Sequence, residues 1–249
     1  MTPKPVLILH APGTNRDGDL AEAIRLAGGA PNIVPLSRLR ENGKNWRDYV
    51  MLALPGGFSY GDALGAGRLW ALELQTAFED LLLAFVESNR PVIGICNGFQ
   101  VLVKAGILPG NGQTATLTFN ASGHFECRWV TLAPNKVNPS PWLTDLPPIF
   151  CPVAHGEGRF LMAEGQALPT EQIGLAYTHP DGTTADGVYP VNPNGSPRDI
   201  AGITNPAGNI IGLMPHPEDH IYPHQHPNWT RGESGGMGVK LFENGLKMA

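Results

Sequence analysis

The sequence predicts an α/β protein with a mostly parallel central sheet, flanking helices and additional strands contributed by its second half. Three observations predict this. Short apolar runs alternate with segments of helical spacing through the first hundred residues. After Gly112 the texture changes to half-exposed alternating runs separated by Gly, Pro and Asn. No internal repeat or long linker divides the 249 residues, so residues 1–249 are expected to form a single domain.

In order, Val6 to Leu9 reads as a buried strand entering the turn-rich Pro12-Gly13-Thr14-Asn15. A helix follows, with Leu20, Ala23, Ile24 and Ala27 on one face and Gly28-Gly29 as its stop. Asn32 to Leu36 and Tyr49 to Leu54 are the next strands, the latter ended by Pro55-Gly56-Gly57. From Leu69 to Ser88, apolar residues at Leu72, Phe78, Leu81, Leu82 and Phe85 predict one helix. Pro91 to Ile95 is a fourth strand running straight into Cys96, with a helix over Phe99 to Ala105 beyond it. Further strands are expected at Thr114 to Phe119, Cys127 to Leu132, Ile149 to Val153, Ile173 to Tyr177, Ile200 to Thr204 and Ile210 to Met214. A last helix is expected over Val239 to Met248.

Composition narrows the function. The chain is 42% hydrophobic and 16% charged, which suits a packed globular core. Its net charge of −5 is spread without basic clusters, so neither nucleic acid nor a membrane surface is an expected partner. The longest apolar run, near Leu81 to Val86, is far short of the roughly 20 residues a membrane helix needs. The N-terminal run stops at His10 and Pro12 without a cleavage pattern, and the sparse cysteines Cys96, Cys127 and Cys151 lack metal-ligand spacing. Free thiols in a cytoplasmic protein are the expectation.

One segment carries chemistry. In Val92-Ile-Gly-Ile-Cys96-Asn-Gly98-Phe-Gln100 a β-branched strand ends at a nucleophile flanked two positions away on each side by glycine. This is the nucleophile-elbow spacing, in which side chains at the flanking positions would meet neighbouring backbone. The following helix directs its amides and positive end at the sulfur, which favours the reactive thiolate. The other reading of Cys96 is a small buried apolar residue, and that reading suits Cys127 and Cys151 better. Both are expected in the core.

A cysteine nucleophile needs a base and a group that orients it. His216 and Glu218, in Pro215-His-Pro-Glu218 directly after a strand, have the types and spacing for those roles, although the same residues also compose an ordinary turn. Gly56-Gly57 at a strand end allows backbone N–H groups to face a developing oxyanion, with the amide of Asn97 as the second donor.

These elements, in this order, resemble the class I (triad) glutamine amidotransferases. The resemblance runs from Val6 to the terminal helix. It rests on Gly94-Ile-Cys-Asn-Gly-Phe-Gln100, Gly56-Gly-Phe-Ser-Tyr-Gly-Asp62, His155-Gly-Glu-Gly-Arg-Phe160, Asn192-Pro-Asn-Gly-Ser196 and Gly212-Leu-Met-Pro-His-Pro-Glu218. The match is to the branch that supplies ammonia for formylglycinamidine ribonucleotide synthesis in purine biosynthesis. The resemblance implies Cys96 as nucleophile, His216 and Glu218 as its partners, Gly57 and Asn97 as oxyanion hole, and Gly56 and Gln100 in the glutamine pocket. It implies glutamine hydrolysis through a cysteinyl thioester, with ammonia passed to a synthetase subunit and a small bridging third subunit as a further partner. No Gly-x-x-x-x-Gly-Lys-Ser/Thr loop is present, so ATP and magnesium are expected on the synthetase and no cofactor or metal in this chain. His155, Glu157 and Arg159 are implied at a channel mouth or partner surface. Many members carry Arg where Gly65 stands, and often Cys where Arg16 stands.

Two rival readings exist. A cysteine hydrolase of the glyoxalase-like superfamily commonly has His directly after its cysteine, where this chain has Asn97. A catalytically silent scaffold has no need of an intact Cys, His and Glu set. The residues His216, His220, His224 and His226 do not form a helical metal site, because Pro217, Pro223 and Pro227 interrupt them. A solvated loop or partner contact is expected over Asp219 to Trp229.

Overall fold

The computed structural model describes residues 2–42 and 46–249. Among these, nine strands form one sheet in the order β2-β1-β3-β4-β11-β10-β9-β6-β7. The first half builds the parallel part: β1 (Lys4–His10), β2 (Gly29–Pro35), β3 (Met51–Leu54) and β4 (Val92–Ile95). The late strand β11 (Ile210–Leu213) joins them alongside β4, also parallel. Beyond it β10 (Ile200–Thr204), β9 (Ile173–Thr178), β6 (Glu126–Pro134) and β7 (Ile149–His155) continue antiparallel. A separate two-stranded ribbon pairs β5 (Ala115–Thr118) with β8 (Arg159–Met162).

The centre is continuous apolar chain because both faces are covered. Every residue of β3, β4 and β11 is buried, which is the pattern of parallel strands between helix layers. Helix α1 (Asp17–Leu26) crosses from β1 to β2 and packs with α6 (Val239–Met248). The second crossover, α3 (Arg68–Ala77) and α4 (Glu79–Glu87), runs the opposite way along the sheet, from β3 to β4. Right-handed crossovers in opposite directions put these helices on opposite faces. Helix α5 (Asn97–Lys104) packs beside α3. The direction therefore reverses between β1 and β3, and the crevice beyond the carboxyl ends of strands at such a reversal is where α/β folds bind ligands.

Several sequence expectations need correction. The helix expected over Leu69 to Ser88 is two helices, broken at Phe78, whose φ of −134° is not helical. Glu79 and Asp80 follow the break, where carboxylates suit the positive end of a new helix. The second strand starts at Gly29, and Leu36 instead opens the short helix α2 (Leu36–Asn42). Cys127 is exposed rather than core. In β6 the buried positions are Glu126, Val130 and Leu132, so alternation sends Cys127 to the outer face. Glu126 occupies the inner phase because Arg128 Nη2 lies 2.6 Å from its carboxylate and Ser122 Oγ donates to it at 2.9 Å.

The segment after Asp219 is not simply a solvated loop. His224 is exposed, but His220 and His226 are buried against Trp129 and Phe150, with ring centroids 5.3 Å (Trp129–His220) and 5.1 Å (Phe150–His226) apart. The Phe150 amide donates to Gly236 O at 2.8 Å, so this segment covers the outer edge of β7, which would otherwise present unpaired backbone.

Candidate active site

The carboxyl ends of β1, β3, β4 and β11 converge on one cleft. At the end of β4, Cys96 takes φ +50° and ψ −105°, a conformation that costs a non-glycine residue about 1–3 kcal/mol. The surroundings hold it there. Its N–H donates to Leu213 O at 2.8 Å, and the Gln100 N–H donates back to Cys96 O at 3.0 Å. The flanking glycines are required by space. A Cβ on Gly98 would lie 2.1 Å from Leu54 O, and one on Gly94 would lie 2.7 Å from Gly98 O. The turn is thus sharp because α5 starts directly against β3 and β4.

The thiol has two neighbours. Its Sγ donates to Ala154 O at 3.7 Å at the end of β7, and Cys96 acts electrostatically on the His216 ring. His216 Nδ1 is 2.8 Å from Glu218 Oε1, which leaves Nε2 for the sulfur. Both residues are sealed from solvent, at 2% and 1% exposure. Burial alone would lower the His216 pKa. The Glu218 carboxylate and Cys96 outweigh it and hold His216 well above the ordinary value. The other carboxylate oxygen, Glu218 Oε2, is buried without a partner among the described residues, an unusual cost accepted next to a charged ring. The His216 N–H donates to Pro152 O at 2.9 Å, which ties this loop to β7. By contrast burial, with Glu218 and Asp219 nearby, pushes the Cys151 thiol well up, so Cys151 is the wrong thiol for nucleophilic work.

The wall facing Cys96 is Gly56-Gly57. A Cβ on Gly56 would stand 2.7 Å from His216 Cε1 and 3.4 Å from Cys96 Cβ, so only glycine fits between Cys96 and the His216 ring. Gly57 has φ +138° and forms a bridge with Thr14. The Gly56 carbonyl accepts from the Asn15 and Arg16 amides at 3.4 and 3.3 Å, which turns that peptide and its following N–H in a fixed direction. Asn97 opens α5, so its own N–H has no intrahelical acceptor and remains available beside the sulfur. Its side chain accepts from the Ser59 N–H at 3.3 Å and donates to Gln100 Oε1 at 2.9 Å. Gln100 in turn donates to Glu157 O at 2.7 Å. With both ends of its carboxamide engaged, Gln100 braces α5 against the loop after β7.

The structure therefore brings Cys96, His216, Glu218, Gly56, Gly57, Asn97 and Gln100 together. It also brings in residues the sequence reading gave no role at the site. Arg16 donates through Nη1 to Asp219 Oδ1 at 3.3 Å, joining the loop after β1 to the loop that carries His216. Asp219 is pushed up to about 6 by burial and by Glu218, against the pull of His216 and Arg16. Ser59, 2% exposed, carries a hydroxyl without a partner among the described residues. Asp219 adjoins Glu218, Ser59 falls inside the Gly56 to Asp62 motif and Arg16 stands at a position where the family often has Cys, but none of these signals gave the residue a role.

A cysteine elbow, a histidine and carboxylate on the loop after the next parallel strand, and a glycine wall define a class I type amidotransferase cleft. The chain belongs to the glutamine amidotransferase family: the model for the CobB/CobQ-like glutamine amidotransferase domain matches residues 3–248. It is 51% identical to the phosphoribosylformylglycinamidine synthase subunit PurQ of Treponema denticola, over 96% of this chain and 97% of that one. It is 37% identical to the protein of the same name from Methanococcus maripaludis strain S2, over 98% and 94%. A solved structure described as PurLQS from Thermotoga maritima matches with TM-score 0.76 and 32% identity, covering 99% of both chains.

Proposed function

We propose that this chain is the glutaminase subunit of a phosphoribosylformylglycinamidine synthase. The observation that carries the reading is the Cys96 thiol held at a strained elbow beside the buried His216–Glu218 pair, whose ring and carboxylate lie 2.8 Å apart. Cys96 Sγ, its proton already held by His216, attacks the side-chain carbonyl carbon of glutamine as the thiolate. The carbonyl oxygen gains the electron pair and is met by the amides of Gly57 and Asn97. His216 returns the proton to the amide nitrogen, the C–N bond breaks, and ammonia leaves behind a γ-glutamyl thioester. Water, deprotonated by His216, then cleaves the thioester to glutamate and regenerates the thiol. Glu218 keeps the histidine tautomer fixed and stabilises the imidazolium in both halves.

The ammonia goes to a synthetase subunit, with a small third subunit bridging the two. ATP and magnesium act there, to activate the amide oxygen of formylglycinamide ribonucleotide. The chain works in the cytoplasm; among its described residues no helix is long and apolar enough to cross a membrane.

Intact-mass analysis after exposure to a diazo-ketone glutamine analogue, with and without the synthetase, tests this reading. A single adduct at Cys96, blocked by excess glutamine and absent in Cys96→Ala, is expected. No adduct even in the complex sinks the glutaminase mechanism and leaves a scaffold role.

A further inference from the structure

The two sides of the cleft come from strands that do not touch. The Gly56-Gly57 wall follows β3 and His216 follows β11, and β4, carrying Cys96, lies between them. No ladder of sheet hydrogen bonds therefore fixes the wall against the His216 ring. Their spacing matters, because the tetrahedral oxygen must lie about 2.7–3.1 Å from its donors while His216 exchanges protons at the same reacting centre.

Arg16 spans this gap. Its N–H donates to Gly56 O at 3.3 Å, beside that of Asn15 at 3.4 Å, and Gly13 O accepts from the Phe58 N–H at 3.0 Å. The loop after β1 is thus stitched to the wall. The Arg16 side chain passes the wall closely: its Cγ is 3.4 Å from the position of a Gly56 Cβ, a point 2.7 Å from His216 Cε1. Nη1 then donates to Asp219 Oδ1 at 3.3 Å, one residue beyond Glu218. Asp19 Oδ2, in the first turn of α1, accepts from the same nitrogen at 3.1 Å and aims it. The Asp219 N–H donates back to His216 O at 3.2 Å, so a pull on Asp219 is a pull on the His216 loop. Glu218 and Asp219 are consecutive carboxylates, with 14% of the Asp219 side chain exposed, and a guanidinium is the cation that can face such a group in a fixed direction.

Resting on the glutaminase reading above, we propose that Arg16 is a positioning residue: through Asp219 it holds the His216–Glu218 loop at the spacing from the Gly56-Gly57 wall that turnover requires. Its part in the reaction is carried by the two loops it joins. The clasp is strongest with the Asp219 carboxylate charged. Burial and Glu218 push Asp219 up to about 6, with Asp19 adding to the push and His216 and Arg16 opposing it. Cys151, from β7, faces the same carboxylates, and burial keeps it a neutral thiol. As pH falls through about 6, Asp219 takes up its proton and the clasp weakens.

The test compares wild type, Arg16→Met, Arg16→Lys and Asp219→Asn, each titrated with synthetase to saturation, by measuring kcat and KM for glutamine from pH 5 to pH 8. For Arg16→Met we expect kcat about tenfold below wild type at pH 8, the scale of one charge-assisted hydrogen bond, with KM within about twofold. At pH 5, with Asp219 protonated in both, the deficit shrinks to about twofold. Arg16→Lys keeps the charge without the fork and returns kcat to within about threefold of wild type. Asp219→Asn copies the protonated carboxyl, so its kcat at pH 8 drops and its profile loses the step near pH 6. Its thermal midpoint should not fall, so lost activity in this variant is not lost folding.

Wild-type kcat in Arg16→Met, or a deficit equal at pH 5 and pH 8, overturns the proposal. Full activity of Asp219→Asn at pH 8 does the same. A deficit confined to KM also overturns it, by making Arg16 a glutamine-binding residue. So does a deficit that disappears as synthetase is raised, which would make Arg16 a docking residue. Failure of the glutaminase reading looks different, because wild type then forms no glutamate that Cys96→Ala abolishes.

Discussion

At the scale of single residues, the site separates groups by the charge their surroundings allow. Cys96 and Glu218 flank His216 and raise its pKa, while the buried His155 nearby is kept neutral. Because Glu218 acts through His216 Nδ1, Glu218→Gln should leave glutamine binding nearly intact and lower kcat by about 10²- to 10⁴-fold. Steady-state kinetics of the complex measure this, and a change confined to KM would remove Glu218 from the mechanism. Asp219 gives a second expectation. Its folded pKa of about 6 lies above the ordinary 3.8, so between those values the folded state binds more protons than the unfolded chain. Stability then falls as pH rises through that window. Asp219→Asn should remove this penalty, worth about 1–3 kcal/mol, giving a higher thermal midpoint than wild type at pH 7.5 and little difference at pH 4. A midpoint lowered at both pH values would show that its bond to Arg16 outweighs the cost of burial. The positions of Cys96, His216 and Glu218 were legible because each role has a local signature. Arg16 was not, since its contact with Asp219 spans 203 residues and depends on which loops the sheet brings together.

At the scale of elements, backbone approach sets the geometry of the elbow. Gly98 lets α5 start against β3, and a methyl group there meets Leu54 O at 2.1 Å. Gly98→Ala should cost at least about 3 kcal/mol in urea unfolding, because backbone rather than a flexible side chain must move. Gly18, in α1 with nothing near its missing Cβ, is the control. Gly18→Ala should be stabilising by about 0.5 kcal/mol through helix propensity and a less flexible unfolded chain. Equal effects at the two sites would mean that the elbow relaxes readily. The same distinction explains which elements the sequence revealed. Strands β1, β3, β4 and β11 are short apolar runs next to turn residues, visible without knowing their neighbours. Strand β8 is only Arg159–Met162 and exists through its pairing with β5, so nothing local announces it. The apolar spacing across Phe78 continues from α3 into α4 although the backbone does not, because both helices bury residues in the one core, Trp70, Ala71 and Leu74 from α3 and Leu82 and Phe85 from α4. Cys127 was misplaced for a related reason: an apolar run fixes that a strand exists, whereas its phase follows from what its ends must pair with.

At the scale of the whole molecule, the sealed His216–Glu218 pair and the exposed rim point in one direction. His216 and Glu218 are closed off from solvent, while Phe58, Phe119 and Phe125 are 45%, 71% and 53% exposed near the elbow and the end of β7. Large aromatics left in water beside a reactive centre are the composition of a partner surface. A subunit that releases ammonia gains from working only when the receiving subunit covers the cleft. The isolated chain should therefore hydrolyse glutamine slowly, and added synthetase should raise the rate at least about tenfold, the low end of what an allosteric coupling of 1–3 kcal/mol supplies. Phe125→Asp places a charge on the rim without touching Cys96, His216 or Glu218. It should raise the synthetase concentration for half-maximal activation by about thirtyfold, as expected for losing one well-packed aromatic contact of about 2 kcal/mol. The rate at saturating synthetase should be unchanged, since the rim binds the partner and does not take part in the chemistry. Titrating synthetase against glutamate release for the two proteins separates these quantities. An unchanged half-maximal concentration would move the docking surface away from the rim, and full activity in the isolated chain would remove the need for one at this site.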